Sequence, residues 1–117
     1  MGIFEKFTQT GQRFNPKVSI WKKGGQISFN QGAIDRFQLK NYQKAVLYFD
    51  REGRRIGIYF TNDEKEPGII KFKIRKTGGV ISGKSFLEFY GIDYSKTKTY
   101  DVVFDQENKL YVINLLE

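Results

Sequence analysis

Two basic clusters sit beside glycine pairs. Lys22-Lys23 precedes Gly24-Gly25, and Arg75-Lys76 precedes Gly78-Gly79 with only Thr77 between. Cations next to glycine suit phosphate binding, because Lys and Arg supply charge and glycine leaves backbone N–H groups open to an anion. Lys73 lies two positions before Arg75, on the same side of an extended chain. Lys84 follows Gly83 at the start of an apolar stretch. Arg51, Arg54 and Arg55 form the densest guanidinium cluster, each a bidentate donor for a phosphate or a guanine edge. Trp21, the single Trp, stands directly before Lys22-Lys23 and offers a surface on which a base can stack. These ten side chains are the expected nucleic-acid-binding set. Each also has an ordinary reading, as a solvated turn charge or a strand aromatic packed on its barrel.

Other chemistry is less well supplied. Asp50/Glu52 and Asp105/Glu107 are acid pairs with one residue between them, a spacing that suits a hard cation or acid–base work. Asp at the head of a turn is more simply explained by its acceptance of backbone N–H groups. Gly78 to Ser85 matches G-x-x-x-x-G-K-S, but a phosphate loop needs a parallel strand and a following helix in a βαβ unit, and no such pattern occurs. A weaker form of the same idea rests an anion near Lys84. The chain has no His and no Cys. Ser/His and Cys/His nucleophiles, thiolate metal sites and disulfides are thereby excluded, and only carboxylates, Lys and Tyr remain for proton transfer. The expectation is a protein that is not an enzyme, with no cofactor and no metal.

The elements that must position these residues repeat. Val18-Ser-Ile-Trp-Lys-Lys-Gly-Gly-Gln-Ile-Ser28 is echoed 54 positions later by Phe72-Lys-Ile-Arg-Lys-Thr-Gly-Gly-Val-Ile-Ser82. Both copies then reach Phe-Asp-x-Glu, at Phe49 to Glu52 and at Phe104 to Glu107. Alternating apolar and polar residues on either side of Gly-Gly read as strands joined by a turn, over Lys22–Gly25 and Lys76–Gly79. Asn30 is placed to cap a short helix carrying Ala33, Ile34 and Phe37, and Gly91 to end its counterpart carrying Phe86, Leu87, Phe89 and Tyr90. Ala45–Phe49 with Ile56–Phe60, and Tyr100–Phe104 with Leu110–Leu115, read as closing hairpins. Each half is therefore ββαββ, and two halves give about eight strands. The 11 Phe, 7 Tyr and scarce Ala favour strands over helices. The expected fold is mostly β: a small closed or nearly closed barrel of two interlocked ββαββ halves with two short helices. The expected layout is a single domain over 1–117, with an N-terminal arm at 1–16, a first half-repeat at 17–60, a polar linker at 61–68 and a second half-repeat at 69–117.

That order of elements, with Lys22-Lys23-Gly24-Gly25-Gln26-Ile27-Ser28-Phe29 leading to a helix and Lys76-Thr77-Gly78-Gly79 leading to its copy, resembles the AbrB/SpoVT-type swapped-hairpin domain and the wider cradle-loop barrels. The resemblance spans about residues 18 to 115 and implies a tandem duplication in one chain. It also implies DNA binding through basic residues on the first strand of each half and the following loop, here Lys22, Lys23, Lys73, Arg75 and Lys76.

Charge points the same way. The formal net charge is +7 and the sequence pI about 9.6, in the range that marks nucleic-acid-binding domains. No apolar run reaches the roughly 20 residues of a bilayer span, and the N-terminus lacks a signal-peptide core, so a cytoplasmic protein without a membrane partner is expected. The expected function is non-enzymatic DNA binding, as in a transcriptional regulator. The alternative is a protein-interaction or assembly module, or a homodimer, using the aromatic surface and the N-terminal arm.

Overall fold

A computed structural model describes residues 3–4 and 15–116. The expected arm falls outside the described residues apart from Ile3, Phe4, Asn15 and Pro16. The chain runs β1 (Lys17–Ile20), β2 (Gln26–Asn30), α1 (Gln31–Arg36), a 3-10 turn (Leu39–Asn41), β3 (Lys44–Asp50), β4 (Arg55–Thr61), β5 (Ile70–Arg75), β6 (Gly78–Ser82), α2 (Lys84–Phe89), β7 (Lys98–Asp101), β8 (Val103–Asp105) and β9 (Leu110–Asn114). The protein is mostly β, as its alternating pattern predicts. Every strand pairing is antiparallel.

The sheet order is β7-β1-β2-β6-β5-β3-β4-β9-β8. Its first and last members are consecutive in the chain, separated only by Val102. The stretch from Lys98 to Asp105 thus pairs with β1 at its start and with β9 at its end. This nearly closes the barrel and removes free edges. Where about eight strands are expected, nine form among the described residues, because this one is interrupted at buried Val102.

The sequence echo becomes a pseudo-two-fold. Ile27 and Ile81, equivalent in the repeat, face each other across the β2–β6 ladder, and neither is exposed. On the opposite wall Gly57 pairs with Val112, flanked by Ile56–Ile113 and Ile58–Tyr111. Between these walls lies the core. Phe29, Phe60 and Phe72 contact one another with ring centroids 4.7 to 5.9 Å apart, distances at which aromatic pairs add stability beyond their burial.

Each short helix plugs the barrel through its counterpart's glycines. A Cβ on Gly25 would lie 3.3 Å from Leu87 Cδ1, and one on Gly79 would lie 3.1 Å from Ile34 Cδ1. Asn30 caps α1 by accepting the Ala33 N–H at 2.9 Å, and Gly91 ends α2 with φ of 63°, both as expected. The glycine pairs differ in backbone, however. Gly24 and Gly25 lie in the turn with φ of 77° and 61°. Gly78 and Gly79 are expected in the second turn but open β6 instead. A Cβ on Gly78 would meet the Phe29 carbonyl oxygen at 2.0 Å, so glycine there permits close strand approach. The second turn shrinks to Lys76-Thr77.

Among the described residues, no helix is long and apolar enough to cross a membrane.

Candidate nucleic-acid interface

Strand alternation sends Val18, Ile20, Ile27, Phe29, Phe72 and Ile81 into the core, so their neighbours cover the outer face of the wall formed by β7, β1, β2, β6 and β5. The register lines up Thr99, Ser19, Ser28, Val80 and Lys73 as one row across this face. Ser19 and Thr99 share a hydroxyl hydrogen bond of 2.8 Å. Lys71, Lys73 and Arg75 project from β5, and all are exposed. One carboxylate, Asp101, stands at an outward position of these strands, and Lys17 pairs with it. This wall presents cations with no unpaired acid on its strands.

A cleft of about 400 Å³ crosses the same face diagonally. Trp21 and Gln26 line one end and Arg75, Thr77 and Gly78 the other, with Ser19, Ser28 and Val80 between them. The Trp21 backbone N–H donates to the Gln26 carbonyl at 2.9 Å, fixing the end of β1. Its indole Nε1–H donates to Ser28 Oγ at 2.7 Å. The ring is thus tethered over the sheet while 45% of the residue stays exposed.

The first turn carries more charge than its own pair of lysines. The Lys22 N–H donates to Thr97 Oγ1 at 3.0 Å, which brings Lys96 and Lys98 to this end. A Cβ on Gly25 would approach Lys84 Cα to 3.0 Å, so the start of α2 is here too. Lys22, Lys23 and Lys84 come together as a basic corner, and Lys96 and Lys98 join them. These last two, like Lys71, were missed by motif reasoning. Their signal was the run Ser95-Lys-Thr-Lys-Thr99, which reads as a polar loop until the fold places it. Asp93, nearby in the chain, is held below the usual carboxylate range chiefly by the Ser95 backbone N–H, with Lys98 and Lys96 adding to the effect.

The two basic turns do not stand side by side. β2 and β6 are antiparallel, and Gln26 opposite Ser82 marks one end of their ladder while Asn30 opposite Gly78 marks the other. Lys22-Lys23 and Lys76 therefore point to opposite ends of the face, separated by the five residues of β2, or roughly 16 Å at strand rise. The two-fold that relates them forces this separation.

The Arg cluster lies elsewhere, on the β3–β4 turn, and is already engaged. Arg55 bridges Asp50 at 2.8 Å. Arg54 lies over the Phe49 ring at 5.1 Å, and Arg51 over Tyr90 at 4.9 Å. The repeated carboxylates are turn caps. Asp50 accepts the Gly53 N–H at 3.0 Å, and Asp105 accepts those of Glu107 and Asn108 at 3.0 and 3.2 Å. Arg54 and Lys109 occupy matched left-handed positions in these turns, with φ of 55° and 58°. Asp50 is held below the usual range first by Gly53 and then by Arg55, and Asp105 first by the Asn108 side chain. Among the described residues no group of three or more acids is placed to hold a metal ion. The Gly78 to Ser85 string runs along β6, whose backbone is paired with both β2 and β5, and passes through Gly83 directly into α2, so no phosphate-cradling loop forms.

The other wall, β3, β4, β9 and β8, has a different outer surface. Tyr48, Tyr59 and Val103 are 45%, 38% and 62% exposed. Tyr48 and Tyr59 line a second depression, also of about 400 Å³, with Leu110, Asn108, Lys109 and Glu66. On α2, Phe89 is 75% exposed, with its ring against Tyr90 at 4.9 Å.

The fold and site define a nearly closed, internally duplicated β-barrel with one basic, hydroxyl-rich outer wall and one aromatic outer wall. No protein-family model, curated protein or solved structure matches the chain.

Proposed function

We propose that this chain is a non-enzymatic DNA-binding protein that acts in the cytoplasm and contacts phosphates along the β7-β1-β2-β6-β5 wall. The observation that carries the reading is the charge balance of that wall: Lys71, Lys73 and Arg75 on its strands, Lys22, Lys23 and Lys76 at its turns, and Asp101 already paired. Cations without partners among the described residues can neutralise phosphates, and binding gains free energy as the nucleic acid releases its condensed counterions. The swapped-hairpin resemblance agrees with basic residues on the first strand of each half and its turn. Regulation of transcription is the role this reading favours. Because the turns lie at opposite ends, contacts follow one another along the face instead of straddling a groove as a matched pair.

The test is the salt dependence of binding to a labelled DNA oligonucleotide. Replacing Lys22 and Lys23 together by Ala should reduce the slope of log K against log salt by about 2. An unchanged slope removes the first turn from the interface.

A second reading is a protein-interaction module or homodimer, favoured by exposed Tyr48, Tyr59, Val103 and Phe89. Sedimentation of the protein with and without Val103→Lys tests self-association through that surface.

A further inference from the structure

We infer that the DNA this face takes is single-stranded, with a base stacked on Trp21 and the backbone running along the cleft toward Arg75. The inference rests on the DNA-binding reading and narrows it. A base can stack on a side chain only if its own face is uncovered, which in a duplex it is not. Trp21 has the properties of such a platform: a ring tethered by its N–H to Ser28 Oγ at 2.7 Å, nearly half open to solvent, at the mouth of a cleft.

The cleft also suits one strand better than two. Its middle is Ser19, Ser28 and Val80, and the two small serines let a base and sugar lie close to the sheet. Its ends are cationic, with Lys22 and Lys23 beyond Trp21 and Arg75 and Lys76 at the far end. A path of roughly 16 Å between them matches a few nucleotides of extended strand. Reading base edges in a duplex's major groove takes a helix or ribbon that enters it. Here the turns diverge and the face between them is recessed. Gln26 and Thr77 supply hydrogen-bonding groups at the two ends of the path.

Trp21 is the single Trp, so its fluorescence reports on this site alone. The experiment titrates the full chain with oligothymidylate, with a duplex of the same length, and with inorganic polyphosphate, following Trp emission and the anisotropy of labelled DNA. Oligothymidylate should bind more tightly than duplex and quench the emission. Polyphosphate should leave the emission unchanged. Trp21→Ala should weaken oligothymidylate binding about five- to a hundredfold, while Trp21→Phe keeps most of it. Duplex binding as tight as single-strand binding, with unquenched emission, would overturn the inference and leave the DNA-binding reading intact. No binding of either DNA by anisotropy would overturn both. If Trp21→Phe binds as poorly as Trp21→Ala, aromatic stacking is not the contact.

Discussion

The two outer walls of this barrel come from the same repeated pattern and have different chemistry. One wall carries hydroxyls, glutamine and cations beside Trp21 and Val80; the other carries tyrosine, valine, leucine and turn carboxylates, with Lys44 and an Arg55 that Asp50 holds. Both are related internally by the same pseudo-two-fold, through Ile27–Ile81 on one and Gly57–Val112 on the other. The barrel needs only its inward positions to be apolar, so the outward positions are free to diverge. What differs outside is therefore not dictated by the fold. The equivalent corners show the same divergence. α2 exposes Phe89, whereas α1 carries exposed Arg36 at the corresponding point of its last turn.

The largest effect should follow from reversing charge on the basic wall. Lys73→Glu with Arg75→Glu should lower DNA affinity on the order of a hundredfold at low salt. Lys65→Glu with Lys109→Glu, beside the depression of the aromatic wall, should change it only severalfold. Circular dichroism melts of both variants check that the fold persists. Equal losses from the two pairs would mean the protein acts through net charge alone.

A second comparison concerns pH. The chain has no His, so DNA affinity should be nearly flat between about pH 6 and 8. Acid acts on the depressed carboxylates. Asp50 and Asp105 on the other wall, and Asp93 beside Lys96 and Lys98, titrate below their usual range in the folded state. The stability they contribute is fully present above the unfolded value of about 3.9 and is lost as pH falls through the lower folded values. Urea midpoints should therefore hold steady down to about pH 4 and then drop. Asp105→Asn should make that drop shallower.

The smallest effects should come from the aromatic corner. Arg51→Ala removes a cation–π contact and should cost about 0.5 to 1 kcal/mol in stability. Phe89→Ser should cost less than about 0.5 kcal/mol, since the side chain is largely exposed. Neither should alter DNA affinity. A loss of binding from either would extend the interface onto α2.

Much of the barrel is legible in the sequence, because its signals are local. Alternation around Gly-Gly defines β1, β2, β5 and β6, Asn30 announces α1, and the repeated Phe-Asp-x-Glu announces two turns of one kind. The site is less legible, because its layout depends on pairing between halves. Nothing in Lys22-Lys23-Gly-Gly or Lys76-Thr77-Gly-Gly says that β2 and β6 run antiparallel and carry the two turns to opposite ends. Arg51, Arg54 and Arg55 read as an exposed cluster because the Phe49 and Tyr90 rings that receive two of them are brought there by folding. Lys96 and Lys98 become part of the basic corner only through the Thr97 contact with Lys22. The break at Val102, where the strand passes from β1 to β9, has no Gly or Pro to mark it.

The most direct test is an amide-resolved NMR titration of the folded protein with a short single-stranded DNA. The account predicts shifts along Ser19, Trp21, Gln26, Ser28, Lys73, Arg75 and Val80, with Tyr48, Tyr59, Val103 and Leu110 unmoved. Shifts centred on that second group, or none at millimolar DNA, would contradict it.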